Sequence, residues 1–98
     1  MEKPYTHTTW LAKAEHEADF VELWSEWVEW SHRQGLEANA MLLRDVENPR
    51  AFVSFGRWEG IDAVRDWRTL SGYKERVARL GALVERFEPR ILEVVERR

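Results

Sequence analysis

The sequence predicts an α+β domain of βαββαβ order, and three observations carry that reading. Residues that favour extended backbone open the chain between Tyr5 and Lys13. Apolar residues from Phe20 to Trp30 then recur at helical spacing. Two strand-like runs near the middle, Ala38–Arg44 and Ala51–Trp58, are separated by Asp45-Val46-Glu47-Asn48-Pro49-Arg50, whose Asp, Asn and Pro are turn residues.

The elements follow in order. Tyr5, Thr6, Thr8, Thr9 and Trp10 are β-branched or aromatic, so Tyr5–Lys13 reads as a strand. From Glu17 to Arg33, Phe20, Val21, Leu23, Trp24, Trp27, Val28 and Trp30 fall on one side of a helix, with Glu22, Glu26 and Glu29 on the other. Gly35 suits the stop, because glycine accepts a left-handed backbone without steric cost. The two central runs form an antiparallel hairpin. Ile61, Val64 and Trp67 mark a short helix over Ile61–Arg68. Ser71 is placed to cap a longer helix in which Tyr73, Val77, Leu80, Val84 and Phe87 repeat at helical steps. Pro89 is expected to end that helix, and Ile91–Glu96 to form the last strand. This order is the split βαβ, ferredoxin-like plan: a four-stranded antiparallel sheet with its helices on one face.

Composition narrows the function. A chain of 98 residues suits one domain. Six Trp, four Phe and two Tyr supply apolar area to so short a chain. Eighteen acidic and 15 basic residues nearly cancel, unlike the strongly basic balance of a general nucleic-acid binder. The absence of cysteine excludes disulfides, thiolate nucleophiles and thiolate metal ligation. Neither a signal-like apolar core at the start nor a bilayer-spanning run is visible, so the expectation is a cytoplasmic protein with no membrane partner.

The predicted strands lack a polar side. Leu42 alternates with Met41 and Leu43, Phe52 with Val53 and Phe55, and Leu92 and Val94 with Ile91 and Val95. An antiparallel sheet with one wet face would alternate cleanly. The expected cover is the same face of a second copy, giving a homodimer.

Leu42-Leu43-Arg44-Asp45, Asn48-Pro49, Phe52-Val53-Ser54-Phe55, Trp58-Glu59, Ala63, Trp67 and Ser71 run in an order that resembles the antibiotic biosynthesis monooxygenase family of dimeric α+β barrels. The resemblance spans roughly Tyr5 to Val95, as a single domain over residues 1–98. It implies oxidation of phenols or quinols by dioxygen without metal or flavin, or, in another branch, haem degradation; some members have no assigned reaction. The quinone-forming branch has Asn, Trp and Tyr at the positions held here by Ser54, Trp58 and Val64. The haem-degrading branch has Asn, Trp and a ligand His where this chain has His7, Trp67 and Val77. Only the tryptophan survives in each. Valine cannot bind iron, so no cofactor is expected.

The candidate catalytic residues are His7 and Trp67. His7 is expected to face a cavity between sheet and helices, where imidazole suits a base taking a phenolic proton; the bland alternative is a strand histidine bonded to a neighbour. Trp67, with Trp58, Trp24, Trp27, Tyr73 and Asn39 as substrate-binding candidates, would hold a small flat aromatic ligand. Core packing is the competing role for the tryptophans and Tyr73, and solvent contact for Asn39. His16 and His32 read as solvated, and no two histidines have ligand spacing. Arg57, Arg65, Arg68, Lys74, Arg76 and Arg79 form a cluster suited to attracting an anionic substrate; the interspersed Glu59, Asp62, Asp66 and Glu75 favour the alternative, a solvated mixed face. Two functions follow: an oxygenase acting on a planar phenol or quinol, or a dimeric module that binds or shapes without catalysis.

Overall fold

The computed structural model describes residues 3–36 and 39–98. Its elements are β1 (Tyr5–Ala12), α1 (Glu17–Arg33), β2 (Asn39–Arg44), β3 (Ala51–Arg57), α2 (Ile61–Thr69), α3 (Tyr73–Ala82) and β4 (Val84–Leu92). The four strands form one antiparallel sheet in the order β2-β3-β1-β4. The predicted ferredoxin-like plan is therefore the observed one. Ala38, the expected first residue of the second strand, lies outside the described residues.

β1 sits at the centre because it pairs with both β3 and β4. Its alternation sends Trp10 to the helices, where the indole meets Phe20 and Trp27 of α1 at 5.2 and 6.3 Å and stacks on Phe87 of β4 at 5.3 Å. Phe20, Val64 and Leu80, one from each helix, are fully buried beside it. Glu17 and Asp19 in the first turn of α1, and Arg33 in its last, complement the helix dipole. Gly35 takes φ 84° just past α1, where its N–H reaches the carbonyl of His32 at 3.0 Å.

The C-terminal third departs from the expected boundaries. The helix stops at Ala82, and Val84 and Phe87 lie on β4. Two local contacts end it: Lys13 donates from its ammonium to the Ala82 carbonyl at 2.9 Å, and from its backbone N–H to Leu83 at 2.9 Å. A cation at the last carbonyls is where the helix dipole favours one. The spacing misled because the β1–β4 register slips between Leu11 and Ala12, which pair with Arg86 and Val84. That bulge leaves Glu85 over and returns Val84 and Phe87 to the same face at a step of three, the step a helix would use. Arg50 anchors the bulge: its guanidinium pairs with Glu85 at 2.8 Å and donates to the Ala12 carbonyl at 2.8 Å.

Pro89 does not end a helix but sits opposite Thr8 within β4. Proline is tolerated there because β4 is an edge strand of this chain's sheet, so the ring's missing N–H interrupts no second ladder. Of the expected last strand, only Ile91 and Leu92 are extended and paired. Ser71 is not the cap of α3. Gly72 holds that position at φ 93°, and a Cβ there would lie 3.6 Å from Trp30.

The second face of the sheet carries no helix. Met41, Leu43 and Leu92 are 58, 45 and 41% exposed on it, beside half-buried Val53 and Phe55. The predicted absence of a polar side holds along β2 and β3, whereas on β4 Arg86, Glu88 and Arg90, opposite Leu11, Thr9 and His7, give this face a charged edge.

Candidate functional site

The site is an indole-walled cavity between the sheet and α1, α2 and α3. β1 contributes Thr6, Thr8 and Trp10 by strict alternation, and β3 contributes Ser54 and Gly56 from the facing register. α1 brings in Trp24, Trp27 and Ser31 one helical turn apart. α2 and α3 close it with Trp67, Arg68 and Tyr73.

The aromatic rings make one continuous wall. Trp27 stacks on Trp67 at 5.1 Å and 29°, Trp58 meets Trp67 at 4.8 Å, and Tyr73 stands edge-on to Trp67 at 4.9 Å. Three of these indoles are held by short hydroxyl side chains. Trp10 donates to Ser54 Oγ, Trp58 to Thr6 Oγ1 and Trp67 to Ser31 Oγ, each at 2.9 Å. Ser31 in turn donates to the Trp27 carbonyl at 2.9 Å, a bond back along α1 that fixes its rotamer.

Trp24 and Trp27 differ. Their Nε1 atoms are buried and have no protein partner among the described residues. A buried donor without an acceptor carries a desolvation cost of roughly 1–3 kcal/mol, which an acceptor on a bound molecule would relieve at these two N–H groups.

Tyr73 is half-buried, and that burial pushes its hydroxyl above the ordinary value of 10.0; the Arg68 guanidinium beside it acts in the opposite direction. At neutral pH the hydroxyl keeps its proton, so it can donate as well as accept from Arg68.

The free space is about 80 Å³. Ordinary small-molecule sites run about 300–1,000 Å³, so anything larger than a single ring must displace part of the wall.

Five of the seven expected site residues, Trp24, Trp27, Trp58, Trp67 and Tyr73, line this cavity. Two do not. His7 alternates with Thr6 and Thr8 and so points to the uncovered face, its ring edge-on to Phe55 at 5.2 Å. The expectation that it faces the helices fails on strand parity. Asn39 is exposed at the start of β2, in a shallow depression with Lys3, Arg57 and Glu59. The hydroxyls of Thr6, Ser31 and Ser54 were not singled out as site groups from sequence, and Arg68 was read there only as one of a basic cluster favouring a solvated face. The alternation of Thr6, Thr8 and Trp10 was the available signal for the first; Ser31 and Ser54 become visible only once an indole is placed against them.

The sequence model of the antibiotic biosynthesis monooxygenase family matches residues 5–79. The chain belongs to that family. In three dimensions it is similar to a variant of SnoaB, a cofactor-independent oxygenase from Streptomyces nogalater, with TM-score 0.89 and 18% identity over 99% of this chain and 97% of that one. Unaltered SnoaB gives TM-score 0.87 and 16% identity over 99% and 97%. A candidate antibiotic biosynthesis monooxygenase from Deinococcus radiodurans gives 0.81 and 21% over 96% and 94%. At these identities the likeness is one of fold. No curated protein matches the chain.

Within this antibiotic biosynthesis monooxygenase fold the substituted positions have plain structural roles. Val64, where the resemblance implied a tyrosine, is fully buried in α2. Ser54, where it implied an asparagine, accepts the Trp10 indole N–H. Val77, in place of a haem-ligating histidine, lines the cavity and offers no donor atom. Among the described residues no three His, Asp or Glu side chains gather as a metal site would require.

Proposed function

We propose that this protein is an oxygenase that oxidises a flat phenol- or quinol-type substrate with dioxygen in the indole-walled cavity, without metal or flavin, and that it works as a homodimer. The observation that carries this reading is the pair of buried, unpartnered indole N–H groups of Trp24 and Trp27 beside an otherwise apolar slot. A phenolate or quinone oxygen supplies the acceptor they lack. SnoaB, of the same fold, is a cofactor-independent oxygenase.

The chemistry needs no redox group from the protein. A ring C–H and the phenolic O–H lose their hydrogens, one oxygen atom of dioxygen becomes the new ring carbonyl, and the other leaves as water. The substrate supplies the electrons. The chain's part is to position the ring and stabilise the anion that donates. Trp58 and Trp67, pinned by Thr6 and Ser31, present fixed ring faces for stacking. The N–H groups of Trp24 and Trp27 and the protonated hydroxyl of Tyr73 are the donors available to a substrate oxygen. This reading assigns no role to His7 and Asn39, which lie outside the cavity.

Oxygen uptake with a panel of phenols, naphthols and quinols tests the reading. The intact protein consumes one dioxygen per quinone formed. Trp27→Phe, which keeps the ring and deletes the N–H, is expected to slow turnover by about 10². Tight binding of planar phenols with no oxygen consumed by the intact protein on any of them would leave a module that only sequesters its ligand.

A further inference from the structure

The charges around the cavity are one-sided. Acidic residues outnumber basic ones in the chain, 18 to 15. Yet no aspartate or glutamate is among the described residues that line the cavity, and the cationic side chain on its helix-covered side is Arg68, with His32 exposed at the rim. Arg90, paired opposite His7, turns its side chain to the other face of the sheet, where Glu88 engages it. Arg68 is half-buried and has no carboxylate partner among the described residues, whereas neighbouring Arg65 pairs with Asp62, and Arg79 with Glu75. Half-buried Arg76 also lacks one but lies over the Trp30 ring, outside the cavity.

A half-buried guanidinium at the edge of an apolar slot, with no counter-ion, is electrostatically incomplete. Beside it stands the Tyr73 hydroxyl, which retains its proton and can donate. Both groups offer hydrogens to the same small space, and neither contributes negative charge. We propose that the cavity takes its aromatic ligand as an anion, with Arg68 and Tyr73 holding the charged oxygen at one end of the slot and the indoles holding the ring. Arg68 is thus the residue that selects ionised over neutral aromatics. This rests on the reading of the cavity as an aromatic-binding site and adds the residue that discriminates by charge, Arg68, to it.

Binding measured by tryptophan fluorescence under argon separates this proposal from turnover. The probes are 2-naphthoate, 2-naphthol and the neutral 2-methoxynaphthalene at neutral pH. Intact protein binds naphthoate at least ~10-fold more tightly than the ether, the gain expected of a hydrogen bond to a charged group. Arg68→Gln brings the two within about threefold, and Arg68→Lys restores most of the difference by keeping the charge. Naphthol that binds with the absorption band of its anion places the charge on the substrate's own hydroxyl; a preference confined to naphthoate places it on a separate carboxylate. Equal affinity for the anions and the ether, or an unchanged preference in an Arg68→Gln protein with native far-ultraviolet circular dichroism, overturns the proposal. Anion preference without oxygen uptake overturns the oxygenase reading and leaves this one standing.

Discussion

The two faces of the sheet are built from the same strands and differ in almost everything else. On the covered face Trp10 and Phe52 are each only 3% exposed, and the indole N–H groups of Trp10, Trp58 and Trp67 donate to hydroxyl oxygens, while those of Trp24 and Trp27 have no partner among the described residues. On the other face Met41 is 58% exposed, and the His7 Nδ1 atom is buried without a protein partner. Alternation puts apolar side chains on both faces, but helices cover only one. One face of a single chain is therefore complete in itself, and the other is complete only against something else.

The largest expected effect tests the covered face. Trp10→Ala removes the ring that joins Phe20, Trp27 and Phe87, and should cost about 3–5 kcal/mol in urea unfolding. Leu43→Ala, on the uncovered face and 45% exposed, should cost the isolated chain about 0.5 kcal/mol or less. Similar losses at the two sites would erase the distinction between the faces.

Next comes the cover itself. Met41→Glu with Leu43→Glu sets like charges against each other in a two-fold contact, a penalty of several kcal/mol. Sedimentation should show the intact protein as a dimer and the double variant as a monomer, with unchanged circular dichroism. An intact protein that is monomeric at micromolar concentration would mean that the face is covered by some other molecule or by none.

A smaller effect probes the hydroxyl pairs. Ser54→Ala strands the Trp10 N–H and should cost about 1–3 kcal/mol, while Thr9→Ala, exposed on the uncovered face, should be close to neutral.

The smallest concerns Tyr73. Burial raises its pKa on folding, so the folded state holds this proton more tightly than the unfolded chain. The corresponding stability is full below the ordinary value of 10.0 and is lost as pH rises through the higher folded value. Tyr73→Phe should flatten that alkaline decline, read as midpoint against pH; an unchanged slope would deny the burial.

Much of this was legible one element at a time. Strand and helix periods located β1, α1, β3 and α2 to within a residue, and the tryptophan stripe of α1 identified most of the cavity wall. The end of α3 was not legible. Val84 and Phe87 stand at a spacing common to a helix and to a strand with a bulge, and Lys13, far away in sequence, decides between them. His7 was misplaced for a related reason: its composition suited a catalytic base, but the parity of β1, set by Trp10, turns it away from the helices.

From the sequence alone came the element order, the missing polar side of the sheet and the aromatic excess, because each is a property of local period or composition. Tertiary structure decided which indole N–H groups find an acceptor, which arginines meet an acid and which face each candidate occupies. Those facts depend on pairs of residues brought together from distant parts of the chain, such as Trp67 with Ser31 and Trp10 with Ser54, which no local pattern encodes.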